Sequence, residues 1–295
     1  MSKNRAALGT PKHKKKSKTR PHLLDLYRLA VQGPEAEVDF FRKAYRHYAR
    51  EDGVKDPRPT RLKEDFCGTT AIATTWVKMH DDHRAIALDL DYKTIKWAQK
   101  RIDHELGKRA RDLHLIMGDV MELTRPYVPM VDVAAATNFS TFFFKTRKQM
   151  RHYFEINRQC LAKHGLLIID AYGGMGGQEI GEWHTAIKPE RPDKLAIRNF
   201  TYIWEQKSYN PVTAQTDCRI HFKYAGKRIQ NAFRYDWRLW TMRELIELML
   251  EAGFRKAEAW CDGWDDKADE SDGRYRPIKD MDDRHDWIAY IVGVK

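Results

Sequence analysis

Apolar residues along the chain alternate between short unbroken runs and helical spacing. Ala85-Ile86-Ala87-Leu88, His114-Leu115-Ile116-Met117 and Leu166-Leu167-Ile168-Ile169 are runs of strand length. Between the first two, Ile95, Ala98, Ile102 and Leu106 share one face of a helix that Asp91 should cap and Gly107 should end. Upstream, Leu62-Lys63 leads through the acidic pair Glu64-Asp65 into the turn Phe66-Cys67-Gly68-Thr69-Thr70, and Ile72, Trp76 and Val77 then mark a helix. A fourth strand through residues 131–136 reaches Thr137-Asn138-Phe139-Ser140, and a helix over about 146–163 leads to strand five at 166–172. This alternation predicts an α/β fold with a doubly wound, mostly parallel sheet.

The alternation stops near residue 175. Residues 200–209, 213–224 and 228–240 read instead as three antiparallel strands, with turns at Asn210-Pro211 and Gly226. Thr241 and Glu244 form a capping box for a helix ending near Gly253. Strand six (254–260) and strand seven (287–294) complete a seven-stranded main sheet, with the small antiparallel sheet inserted after strand five. Before the sheet, a helix from His22 to about Gln32 is broken at Gly33-Pro34. A second helix then carries Val38, Phe41, Tyr45 and Tyr48 on one face.

Three strands ending beside acids make a binding edge at the carboxyl ends of a parallel sheet. Gly68 lets backbone approach a ligand, because a Cβ there would collide with it. The hydroxyls of Thr69 and Thr70 are placed to cap the next helix. Asp89 lies 21 residues after Gly68, where a nucleotide-binding βαβ unit carries the acid that takes ribose hydroxyls. A third run ends in Gly118-Asp119.

On these residues the chain resembles the class I S-adenosylmethionine-dependent methyltransferases. Their first motif is usually acid-x-Gly-x-Gly-x-Gly. Here only the middle glycine remains, as Gly68, with Phe66 and Thr70 in place of the outer two; Glu-Asp-Phe-Cys-Gly-Thr is similar to the form seen in one subgroup. The motifs cover about residues 61–174. The resemblance implies a Rossmann-like fold and S-adenosyl-L-methionine as cofactor. It implies donor contacts from Glu64, Phe66, Cys67, Gly68, Thr69, Asp89, Leu90, Asp119 and Asn138: Asp89 on the ribose, Leu90 on an adenine face, Asp119 on the adenine amino group. Asn138, Asp170 and Tyr172, at strand ends, are the catalytic candidates. N-terminal helices lid the cofactor in such enzymes, which makes Tyr27 and Tyr45 candidates for that role.

Composition narrows the acceptor little. The 32% charged and 42% hydrophobic residues suit a globular protein without a membrane-length apolar run, which implies no membrane partner. Four cysteines without paired spacing argue against a disulfide frame, a zinc site and radical chemistry, and for a reducing, cytoplasmic setting. No histidine spacing suggests a metal, the stretch Asp282-Asp283-Arg284-His285-Asp286 being the one exception. The net charge is +11, but residues 1–20 hold eight of those charges and no acid, so the rest carries 11 − 8 = +3. Residues 1–21 therefore read as a disordered basic tail that also fits a nuclear address or an RNA tether. Residues 22–295 read as one domain, with 22–50 as lid helices and 175–240 as a substrate cover. Residues 262–283 carry nine acids against four basic residues, either a solvated face or an attraction for a cationic substrate.

The chain lacks the Asn/Asp-Pro-Pro-aromatic tetrad with which many enzymes hold a planar amide or amine, which disfavours base and glutamine methylation. The leading expectation is methyl transfer to a small molecule, with an amine favoured by the aromatic residues of the inserted sheet. The alternatives are RNA or protein as acceptor, reached through the basic tail, and a binding module without turnover.

Overall fold

The computed structural model describes residues 20–189, 197–265, 270–281 and 284–295. The basic tail, up to residue 19, lies outside the described residues.

Four short strands make the parallel half of the main sheet: β1 (Arg61–Glu64), β2 (Arg84–Asp89), β3 (Leu113–Met117) and β4 (Val131–Ala136). β5 (Leu161–Gly173) extends it in parallel. The inserted sheet follows as β6 (Gly181–Ile187), β7 (Phe200–Asn210), β8 (Gln215–Tyr224) and β9 (Lys227–Arg238). Then come β10 (Lys256–Cys261), the two-residue ladder β11 (Trp264–Asp265) with β12 (Glu270–Ser271), β13 (Arg276–Ile278) and β14 (Trp287–Val294). The main sheet runs β13-β10-β14-β5-β4-β1-β2-β3, with β14 antiparallel to β5 and to β10. Strand order reverses between β1 and β4, which is where such sheets open a ligand crevice. The seven expected strands are all present. β13, from the acidic stretch, adds an eighth at the edge beside β10.

Each central strand feeds both faces, because successive residues point opposite ways. Ala85, Ala87, Val133, Ala135, Leu166 and Ile168 pack with α2 (Pro34–Glu51), α3 (Ala71–Met79) and α4 (Tyr92–Leu106). Ile86, Leu88, Ala134, Ala136, Leu167 and Ile169 pack with α5 (Arg147–Cys160) and α6 (Met242–Glu251). Asp91 caps α4 by accepting from the Thr94 N–H at 2.7 Å, and Thr241 and Glu244 form the expected capping box on α6. The N-terminal helices part company. α2 lies on the main sheet, whereas α1 (Leu23–Val31) buries Leu26 under the inserted sheet with Phe200, Ile220 and Phe222.

The inserted sheet has four strands rather than the three that alternation shows. β6, Gly-Glu-Trp-His-Thr-Ala-Ile, is exposed along most of its length. With no face to bury, it carries no apolar rhythm to read.

Candidate functional site

The turn after β1 is held from below by a buried polar cluster. Lys63 Nζ donates to both oxygens of Asp65, at 2.5 and 2.6 Å, and to Asn157 Oδ1 at 2.9 Å; the Tyr153 hydroxyl also donates to Asp65. Both charges are fully buried, so each depends on the other to offset lost hydration. Above this anchor, Phe66, Gly68 and Thr70 take φ of +52°, +49° and +57°. These are the three positions at which the resembled motif carries glycine. The left-handed backbone persists here although two of the three bear side chains, at a strain cost for Phe66 and Thr70. Phe66 sends its ring down against Phe144 and Tyr153.

A Cβ built on Gly68 meets only the Phe66 carbonyl oxygen, at 3.9 Å. Packing within the protein therefore does not require glycine there; the backbone angle and the open space above it do. Neither threonine hydroxyl caps α3. Thr69 Oγ1 donates to Gln32 Oε1, and Thr70 Oγ1 donates to the Thr69 carbonyl. The acceptor for the first turn of α3 is Glu64, which takes the Ala73 N–H at 2.9 Å. A carboxyl oxygen accepts that N–H whether the group is protonated or ionised. Burial, followed by Glu37, Asp89 and Asp65, pushes the Glu64 pKa up to about 8. Glu37, on α2, accepts from the Tyr290 hydroxyl, and burial raises it to about 7.

Asp89 ends β2 and is aimed by two backbone bonds of 2.9 Å, one from Gly68 N–H and one from Asp91 N–H. Each oxygen keeps a lone pair for a further donor. Leu90 and Met117, at neighbouring strand ends, stand 70% and 56% exposed. Asp119 accepts from Met121 N–H at 2.8 Å. Cys67 is buried, and its N–H bonds the Leu88 carbonyl, so its side chain belongs to the core beneath the turn. Gly68, Asp89, Leu90 and Asp119 thus gather along one carboxyl edge, with Asn138 at the next strand end.

Asn138 and Phe139 also take positive φ, both +58°, where β4 passes into its loop. Asp170 of β5 holds that loop: its oxygens accept the Asn138 and Phe139 N–H groups, each at 2.7 Å. Burial and then Glu37 push its pKa well above the carboxylate range, against the pull of those two bonds. Asp170 therefore acts on the loop rather than facing open space.

Asn138 and Tyr172 do face open space. They stand at the foot of a cavity of about 710 Å³ between the main sheet, α1 and the inserted sheet. Tyr27, Phe139, Tyr202, Trp204, Tyr235 and Trp237 give it aromatic walls. Phe139 packs on Tyr172 at 4.7 Å, and Tyr235 stacks on Trp237 at 4.3 Å. Burial raises the Tyr27 and Tyr235 phenols above their ordinary range, so both stay neutral. Burial raises the Tyr172 phenol above its ordinary range, so it stays neutral. Asp262, His285 and Asp286 line the same cavity, so part of the acidic stretch does reach it. Asp282 and Asp283 lie outside the described residues. Gly174 and Gly176 fix this rim: a Cβ on Gly174 would lie 2.5 Å from the His285 carbonyl oxygen, which also accepts the Gly176 N–H. Tyr45, by contrast, is buried in the core under α2 with Asp132 and Arg61 as its charged neighbours, away from this edge.

A second polar cluster, Glu182, Glu205 and His221, has metal-like spacing on the inserted sheet. Its imidazole is committed elsewhere: Nδ1 accepts the Asn231 N–H, which leaves the proton on Nε2, donated to Glu205. Arg228 already pairs with Glu182 through two bonds. The three side chains are thus held in a hydrogen-bonded and ion-paired network in which the imidazole lone pair is already taken.

Sequence reading missed the Lys63–Asp65–Asn157–Tyr153 anchor, Glu64 as a helix cap, and Gln206 and Trp183 in the cavity wall. Lys63 inside a strand was the one visible signal, since a lysine there needs a buried partner.

No family model matches this chain, and neither does any curated protein. Among solved structures it is similar to DesVI from Streptomyces venezuelae, at 16% identity and a TM-score of 0.64, over 92% of this chain and 96% of that one. It is similar to CalS10 with bound SAM, an amino pentose methyltransferase from Micromonospora echinaspora, at 15% identity and 0.61, over 95% and 99%. It is also similar to the sugar N-methyltransferase KedS8 from a Streptoalloteichus species, at 16% and 0.61, over 99% of each chain. Identity this low establishes likeness of fold. The chain has the α/β fold of S-adenosylmethionine-dependent methyltransferases, including the separate small antiparallel sheet.

Proposed function

We propose that the protein is an S-adenosyl-L-methionine-dependent methyltransferase whose acceptor is a small amine held in the aromatic cavity. One observation carries the reading. The three-glycine backbone is reproduced at Phe66, Gly68 and Thr70, and Gly68 N–H itself aims the Asp89 carboxylate along the sheet edge. The residues fit the donor: Asp89 has lone pairs for two ribose hydroxyls, Leu90 and Met117 offer exposed apolar surface for a base, and the space over Gly68 is open. Glu64, Phe66, Cys67 and Thr69 shape this turn rather than contact the donor through their side chains, while Asp119 and Asn138 continue the edge.

When bound, the donor supplies an electrophilic methyl on a sulfonium, and the protein's task is alignment and exclusion of water. Asn138 and Tyr172 stand between the donor edge and the cavity and orient the nucleophile. Asp170 is a positioning residue, because it sets the loop that carries Asn138. The neutral Tyr172 phenol can accept a hydrogen bond from an amine but is too weakly acidic to supply a phenolate. A roof of Trp204, Tyr235 and Trp237 attracts a cationic or electron-poor group. That CalS10 is described as an amino pentose methyltransferase and KedS8 as a sugar N-methyltransferase supports an amine acceptor here.

Methyl-labelled donor incubated with protein and cell extract tests this. Label should enter small amines and vanish with Asp89→Ala. Label confined to RNA or protein, or donor binding without turnover, would overturn it.

A further inference from the structure

α2 carries a row of cations on the side away from the core. Arg42, Lys43, Arg46, His47 and Arg50 follow one another at helical spacing, so they share a stripe. From Lys43 to Arg50 they line a groove of about 690 Å³, closed on its other side by Arg276 and Pro277 of β13, with Trp260 and Tyr275 at its base. The single acid in its lining is Glu51, already engaged by His47 and Lys256. The side chains of Arg46 and Arg50 make no hydrogen bond or ion pair among the described residues. Burial, then the guanidiniums of Arg42 and Arg50, push the Arg46 pKa below its ordinary range. Like charges crowded in a concave surface repel one another until an anion separates them.

The shape selects among anions. The apolar residues of α2, from Val38 to Tyr48, are buried in the core, which leaves no face to insert into a membrane. No exposed apolar anchor stands in the groove for a peptide hot spot. Lys43 to Arg50 spans about 10 Å of helix, the scale of a few nucleotides of one strand. We propose that this groove binds the phosphate backbone of a single-stranded nucleic acid, independently of the methyl-transfer site. Contacts of this kind hold a strand and read no sequence. Tyr275 lines both this groove and the aromatic cavity, so a bound strand lies one side chain from the acceptor.

Fluorescence anisotropy with a labelled single-stranded RNA oligomer, run on the full chain over a salt series, tests the groove. Arg46→Glu with Arg50→Glu should weaken binding by about tenfold and reduce the log–log salt slope by about 1.4, the change for two lost phosphate contacts on a single strand. Lys100→Glu with Lys148→Glu, exposed positions on α4 and α5, imposes the same change in net charge and should leave the slope unaltered. Arg46→Lys with Arg50→Lys should keep binding, since charge rather than guanidinium shape makes the contact. Equal losses in the two Glu pairs, an unchanged slope in the groove pair, or loss of binding in the double Lys variant would overturn the proposal. So would groove-dependent binding of phosphatidylserine vesicles without binding of RNA.

Discussion

The donor edge and the aromatic cavity meet at Asn138 but are built in opposite ways. At the donor edge, backbone conformation dominates: three left-handed residues within five positions, and one N–H that aims a carboxylate 21 residues away. The cavity is made by side chains from distant stretches, Tyr27 on α1, Tyr172 on β5, Trp204 on β7, Trp237 on β9 and Trp287 on β14. A ligand held by backbone constrains a short run of sequence, because each dihedral must be right in its place. A ligand held by side chains constrains only volume and chemistry, which many sequences can supply.

The comparison breaks most severely if the anchor under the donor turn is removed. Asp65→Ala leaves Lys63 charged and buried without its partner and should destabilise the protein by about 3–5 kcal/mol, measured by denaturant unfolding. Asp89→Ala should leave stability nearly unchanged and weaken donor binding by about 1.5–3 kcal/mol, read by calorimetry. Unchanged donor affinity would remove Asp89 from the ribose. A smaller effect concerns pH. The Glu64 pKa is about 8 in the fold and 4.5 for the ordinary group, so its contribution is fully present below pH 4.5 and is lost as pH rises toward 8. Without donor, the melting temperature should therefore fall over that interval, and Glu64→Gln should flatten the fall. The smallest change is Tyr235→Phe, which removes one polar hydroxyl from the cavity wall and should cost about 0.5–1.5 kcal/mol in acceptor binding while donor affinity holds.

The same contrast explains what the sequence disclosed. The strands and helices of the main sheet, the turn at Gly68 and the acid at Asp89 were legible, because periodicity and spacing are local properties. Hydroxyl capping by Thr69 and Thr70 was a plausible local rule overridden by Glu64, which reaches α3 only once β1 is in place. β6 escaped notice because its exposed residues carry no alternation, and β13 because three residues with a proline do not read as a strand. Asp170 stood at a strand end like Tyr172, yet its oxygens turn to the Asn138 loop; no spacing rule distinguishes those two orientations.

The division between the two regions is tested most directly by the donor dissociation constant of Trp204→Ala. Trp204 lines the cavity, half-buried, and touches none of the residues of the Gly68 turn in its ring contacts. Donor affinity should stay within about twofold of the unaltered protein, a difference below 0.5 kcal/mol, while acceptor turnover falls. A loss of donor affinity matching that of Asp89→Ala would contradict the division, because the two regions would then form one ligand site.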